Sequence, residues 1–216
     1  MHHRLIVNKR STLSHPVNYV VRIVDRVKNS VVSIQSFRST PGGSDQPENI
    51  GTGFIIHPDG YFLTSEHVIG SSPYVRIRFI DGREYTVKRV WADRKRDLCI
   101  VKSHTLSRFS PLPLGSSSQS KLGEIVIAVG NPLDLGQSIT AGIISGKKRS
   151  IRTEDASYQD LLQTDCAINP GNSGGPLLNI KGEVIAVNSF IAQDYQRIGF
   201  AIGIDGIKKV LSKIKI

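Results

Sequence analysis

A serine set among glycines, Gly171-Asn172-Ser173-Gly174-Gly175-Pro176, is the stretch of this chain best suited to nucleophilic chemistry. A serine hydroxyl attacks poorly unless a base removes its proton and donors stabilise the oxyanion that the attack creates. Glycines let the backbone turn tightly enough for successive N–H groups to converge on one point. Gly171, Asn172 and Ser173 would supply those donors, with Gly171 and Ser173 as the principal pair. Taken alone, the pattern is equally that of a Gly-rich turn between two strands, so partners elsewhere must decide. His67 stands in Thr64-Ser65-Glu66-His67-Val68-Ile69, directly after the apolar run Tyr61-Phe62-Leu63. Asp97 opens Asp97-Leu98-Cys99-Ile100-Val101-Lys102, a carboxylate at the mouth of a buried strand.

The order His, Asp, Ser separates this set from other serine-based arrangements, which use the same three residue types in different orders. Asp97 follows His67 by 30 residues and Ser173 follows Asp97 by 76, so the first two can share one unit while the serine comes from the next. Together T-x-x-H-V, D-L-x-I-V-K and G-N-S-G-G-P resemble the HtrA (DegP-like) family of trypsin-like serine proteases, over about residues 31–204. The resemblance implies two six-stranded antiparallel β-barrels with a His67–Asp97–Ser173 triad across their junction. It also implies a serine endopeptidase acting on unfolded or misfolded polypeptides, with small to medium aliphatic residues before the scissile bond. The specificity pocket is expected beside Ser173, walled by Ile168 and Asn169 and by Ser189, Phe190 and Ile191, next to Asn188. Those walls carry no acid to pair with a substrate Lys or Arg, which agrees with an apolar preference.

Four departures from the family pattern stand out. Glu66 occupies the place before the histidine that the family usually gives to a neutral residue, and Cys166 stands where alanine is usual. HtrA proteins usually carry PDZ domains after the protease, whereas this sequence stops at Ile216; it is either part of a longer protein or a member with the protease domain alone. The regulatory loop after the first strand is reduced to about residues 36–50, which argues against caged assemblies and leaves the family's homotrimer open.

The elements that must position these residues are mostly strands. Apolar residues at 17, 20, 21, 24 and 27 have helical spacing, so residues 1–30 read as an arm and a short helix. Residues 31–110 read as the first barrel. Val31 to Gln35, Gly51 to Ile56, Gly60 to Thr64, Tyr74 to Phe79, Arg83 to Trp91 and Asp97 to Lys102 make six strands, with turns at Pro58-Asp59-Gly60 and Asp81-Gly82. A Pro- and Ser-rich linker spans 111–123. A second barrel follows over 124–204, with strands from Glu124 to Val129, Ser138 to Arg149, Asp160 to Thr164, Pro176 to Asn179, Glu183 to Ser189 and Ile198 to Ile202. Short strands with Gly/Pro turns at these intervals suit closed all-β barrels. Residues 205–216 read as a C-terminal helix, with Asp205 at its start. Thr153 to Tyr158 and Ala192 to Arg197 read as polar loops beside the serine turn.

Composition excludes several other classes. The chain has 216 residues, 39% apolar, with 28 basic against 18 acidic residues for a net charge of +10. Such a charge suits nucleic acid or an anionic surface. The basic residues are scattered, however, and aromatics are only 6%, so a solvated surface is the better reading than a nucleic-acid-binding barrel. A pseudoprotease scaffold would lack one member of the triad, and none is missing. Cys99 and Cys166 are too few for a disulfide framework and read as buried free thiols. No metal-ligand spacing occurs, so neither a metal nor a cofactor is expected; His57 reads as a hairpin-turn residue. No apolar run of about 18 residues suggests a membrane span, and residues 1–16 lack a signal-peptide core. An exported compartment, such as the periplasm, would require a leader already removed; otherwise the cytoplasm is expected.

Overall fold

The computed structural model describes residues 16–38, 47–131, 136–152, 157–191 and 198–214. Helix α1 (Pro16–Val27) runs through a 3₁₀ turn (Lys28–Ser30) into strands β1 (Val31–Phe37), β2 (Asn49–His57) and β3 (Tyr61–Thr64). A one-turn helix, α2 (Glu66–Ile69), precedes β4 (Tyr74–Arg78), β5 (Glu84–Asp93) and β6 (Leu98–Ser103). The second half comprises β7 (Ile125–Gly130), β8 (Ser138–Arg152), β9 (Ser157–Thr164), β10 (Pro176–Asn179), β11 (Val184–Ile191), β12 (Gly199–Gly203) and helix α3 (Ile204–Lys213). Two closed antiparallel barrels result, in strand order β1-β2-β3-β6-β5-β4 and β10-β11-β12-β9-β8-β7. The all-β, double-barrel reading of the sequence is therefore met. Among the described residues, no helix is long and apolar enough to cross a membrane.

Side chains alternate across a strand, and here the alternation divides each central strand between two apolar environments. In β6, Cys99 and Val101 enter the first barrel, while Leu98 and Ile100 join a layer between the barrels. In β7, Val126 and Ala128 fill the second barrel, while Ile127 and Val129 face that same layer. Burial on both faces explains why these strands read as unbroken apolar runs in an antiparallel sheet, where one wet face would give a polar alternation. Ile23 and Val27 of α1 and Ile204, Ile207 and Leu211 of α3 close the layer from outside.

The segment between the barrels carries little regular structure, yet it binds both of them. Phe109 stacks on Phe79 at 5.7 Å between ring centroids and meets the edge of Phe62 at 5.4 Å. Its N–H donates to Pro58 O, and that of Leu112 donates to Ile55 O. Further on, Val184 N–H donates to Pro113 O and Gly115 N–H to Val184 O. The linker is thus a hydrogen-bonded strap.

Several element ends differ from the expected ones. The N-terminal helix stops at Val27 instead of Ser30, since Asn29 and Ser30 are weak helix formers and β-branched Val31-Val32 already belong to β1. Helix α2 was not anticipated. Cys99 and Cys166 are free and buried, as expected, and burial pushes the Cys99 thiol up to about 12. His57 ends β2, with its Nδ1 accepting the Asp59 N–H.

Gly203 precedes α3, and Asp205 lies in its first turn instead of capping it. There the Asp205 carboxylate accepts from Ser116 Oγ and the Ser118 N–H, both at 2.9 Å. Burial raises its pKa, but these bonds outweigh that and hold it at about 2. Asp205→Asn should lower stability by about 1–2 kcal/mol at neutral pH, the loss expected for weakening charge-assisted hydrogen bonds. Because the folded pKa lies below the unfolded value of about 3.9, the gap should be full above about pH 4. It should close as the pH falls through about 2. Urea unfolding of both proteins across that range is the measurement.

Candidate active site

The histidine sits on an unusual support. After β3 the chain turns at Ser65 and forms the single turn of α2, ended by Gly70 at φ 55°. First-turn N–H groups of a helix have no partner within the helix. Asp97 supplies one from outside: its Oδ1 accepts the His67 backbone N–H at 2.9 Å. The same carboxylate lies 2.9 Å (Oδ1) and 2.8 Å (Oδ2) from His67 Nδ1. Asp97 therefore fixes both the helix turn and the ring. A carboxylate at Nδ1 assigns the proton to that nitrogen and leaves Nε2 as the free base. Asp97 itself has φ 55°, a left-handed conformation that Asp tolerates better than most residues. It is only 5% exposed, whereas the imidazole is half-exposed.

The charges at the site act in opposite directions on His67. Burial pulls its pKa down, but the hydrogen bond and charge of Asp97, helped by the charge of Glu66, raise it above the ordinary histidine value. Tyr158 of β9 is also raised, by burial and by the charge of Asp97.

Ser173 is presented by a turn that both barrels hold. Asn172 N–H donates to Asn169 O at 2.9 Å. With Pro170 and Gly171 (φ 104°) as the central pair, this is the pattern of a type II turn. From the first barrel, Thr52 N–H donates to Ser173 O at 2.9 Å, and Thr52 Oγ1 donates to Gly171 O. From the second barrel, Gly174 N–H donates to Asn188 O at 2.8 Å. Gly174 has φ 82° and packs so closely that a Cβ would collide with Thr52 O and Thr64 Oγ1.

His67 and Asp97 meet directly, and Ser173 joins them through Ser189. Ser189 Oγ donates to Asp97 Oδ2 at 3.0 Å. Ser189 O in turn accepts from Ser173 Oγ at 3.0 Å. The Ser173 hydroxyl is thus turned toward Ser189 instead of His67 in this arrangement. Among the described residues, the Gly171 and Ser173 N–H groups meet no acceptor. The N–H of Asn172, one of the three expected oxyanion donors, is engaged within the turn by Asn169 O.

The residues expected to wall a pocket occupy several settings. Ile168 is 3% exposed and belongs to the second-barrel core. Asn169 is exposed and closes the serine turn. Ser189 is bound to Asp97. Of Phe190 and Ile191 only the backbone in β11 is described, paired with Phe200 and Gly199. The loops expected to support the turn lie largely outside the described residues, which omit 153–156 and 192–197. Among the described residues, no three His, Cys, Asp or Glu side chains gather as a metal-binding group.

Sequence reasoning named Ser189 only as a pocket wall, missing its bond to Asp97, and missed Thr52 altogether. Ser189 lies in the apolar strand Val184-Ile185-Ala186-Val187-Asn188-Ser189. A buried hydroxyl there needs a partner, which is the signal that could have singled it out. Thr52, flanked by Gly51 and Gly53, gives no comparable signal, because the partners of its hydroxyl, Asn131 N–H and Gly171 O, lie 79 and 119 residues away.

Comparison with known proteins agrees with this architecture. Residues 51–187 match the trypsin-like peptidase domain. A protein of Hahella chejuensis named "Probable periplasmic serine endoprotease DegP-like" is 42% identical over 80% of this chain and 37% of its own length. Proteins of the same name from Chlamydia muridarum and Halomonas elongata are 38% and 40% identical, over 96% and 81% of this chain and 41% and 37% of theirs. The chain therefore spans about two-fifths of the length of these relatives. With its two barrels and the peptidase-domain match over residues 51–187, this chain belongs to the family of trypsin-like peptidases.

Proposed function

We propose that the chain cleaves peptide bonds with Ser173 as nucleophile, His67 as general base and acid, and Asp97 as the group that orients the imidazole. The observation that carries this reading is the His67 Nδ1 contact with buried Asp97 at 2.8 Å, joined to Ser173 through the two atoms of Ser189. A rotation about χ1 of Ser173, between staggered positions, would exchange the Ser189 carbonyl for His67 Nε2. Nε2 then takes the hydroxyl proton as Oγ bonds to the substrate carbonyl carbon. The oxyanion meets the Gly171 and Ser173 N–H groups. Collapse expels the amine, which receives the proton from His67, and leaves an acyl-Ser173. Water, deprotonated by the same imidazole, completes hydrolysis and restores the hydroxyl.

Substrates on this reading are extended, unfolded polypeptides lying across the barrel junction, with small to medium aliphatic residues before the cut. The support is chemical: no acidic side chain belongs to the expected walls. The relatives' names place those proteins in the periplasm, and an exported compartment is the reading carried over here. The outer face of α1, where Tyr19 and Val21 are exposed, is the surface proposed for a homotrimer.

Ser173→Ala should fold normally and lose about 10⁶ in kcat, as removal of a triad serine does elsewhere. Casein digestion by the purified variant at the wild-type rate would overturn the assignment. Asp97→Asn should lower kcat by about 10⁴ by favouring the wrong imidazole tautomer; a loss under about tenfold would mean that another acid orients His67. Mass spectrometry of a digested unfolded protein should find cuts after Val, Ile, Ala and Leu. Predominant cuts after Lys or Arg would show that the pocket lies elsewhere.

A further inference from the structure

The turn that carries Asp97 makes a second contact with α2. It runs from Asp93 to Asp97 and is closed by Asp97 N–H on Arg94 O at 3.3 Å. Arg96 stiffens it by donating from its backbone N–H and its Nε to Asp93. Two residues of this turn reach two consecutive residues of α2. Asp97 takes His67, and Arg94 Nε donates to Glu66 Oε1 at 3.1 Å. A third residue, Arg89 of β5, lies 3.9 Å from the same Glu66 oxygen and donates to Gly70 O at the other end of the helix. Four residues are too few to make a stable helix by themselves, so α2 depends on such outside contacts. Glu66 is a carboxylate with only 8% exposure, and a charge so buried must be paired.

We infer that Glu66 and Arg94 form a second clasp beside His67–Asp97, holding the one-turn helix against the Asp97 turn and setting the electrostatic field at the imidazole. This rests on the reading of His67 as the general base. Both are positioning residues, since neither reaches Ser173. The geometry makes two demands on His67. Its ring must stay aligned with Asp97, which the clasp secures by tying the adjacent residue to the same turn. Its protonation must also answer to the charges around it. These are Glu66 on α2 and Asp97 on the turn, with Arg94 and Arg89 paired to Glu66; the Cys99 thiol on β6 and the Tyr158 hydroxyl on β9, both raised by burial and by Asp97, add no charge. Glu66 favours the imidazolium, and Arg94 offsets Glu66.

The two halves of the clasp should therefore act with opposite sign. Glu66→Gln keeps the side chain's shape and removes its negative charge, so His67 should titrate at lower pH and the acid limb of kcat/KM should move down. Arg94→Gln leaves Glu66 with only the more distant Arg89 to offset it, so the titration and the acid limb should move up. In the Arg94 variant kcat should also fall about tenfold with KM changed less than about twofold, a loss of alignment and not of substrate binding. NMR titration of the His67 imidazole in the full chain reads the field without turnover, and casein kinetics against pH read its consequence. The Arg94 side chain is 76% exposed, so Arg94→Gln leaves the core intact and carries the test if Glu66→Gln fails to fold. Titrations that stay at the wild-type position, or that move in the same direction in both variants, would reduce the pair to a structural staple and overturn the inference. His67→Ala separates this outcome from failure of the general-base reading. If that variant still digests casein and labels with a fluorophosphonate, the reading has failed, whatever the titrations show.

Discussion

The buried carboxylate of Asp97 is the interaction on which the rest of the site depends. An ionised group taken out of water must recover its solvation from fixed donors. Asp97 does so from the His67 backbone N–H, the His67 ring and the Ser189 hydroxyl. Those donors come from a helix of the first barrel and a strand of the second. One charge therefore joins α2, the turn after β5 and β11, and its solvation requires the two barrels to be docked. The left-handed backbone of Asp97 is part of the same requirement, since it turns the carboxylate back toward α2 while Leu98 enters the core.

The barrels supply a rigid frame for that charge by burying their central strands twice. Leu98, Ile100, Ile127 and Val129 pack between the barrels, while their sequence neighbours fill the interiors. At roughly 25 cal/mol per Å² of apolar surface removed from water, such a layer is a large stabilising term. It leaves the junction behind the site apolar. At Gly51 a Cβ would meet Val68 of α2 and the Ser173 carbonyl. The close approach of β2 to the serine turn is possible because that position has no side chain.

Much of this was legible in the chain because it is written locally. The glycine-flanked Ser173, the carboxylate opening an apolar strand and the histidine closing another each announce themselves within six residues. Hairpins were legible for the same reason, since Pro58-Asp59-Gly60 and Asp81-Gly82 state their turns. What stayed hidden depends on contacts between distant segments. Helix α2 is one turn long and is held by Asp97, Arg94 and Arg89, so no periodicity marks it. Ser189 read only as a wall of the pocket expected beside Ser173; its bond to Asp97 spans 92 residues. Asn172 looked like a donor by position, yet the turn that makes Ser173 accessible also engages the Asn172 N–H.

The hydrogen bonds from Thr52 to the Ser173 turn carry a consequence for the order of assembly. The sequence of that turn belongs wholly to the second barrel, but part of its shape is imposed by β2 of the first. A second barrel folded alone would contain Gly171 to Gly175 without the partners that orient their carbonyls. During synthesis the first barrel emerges before the second, so the template exists by the time the serine segment is made. A chain caught half-assembled thus carries the Ser173 turn without the contacts that shape it.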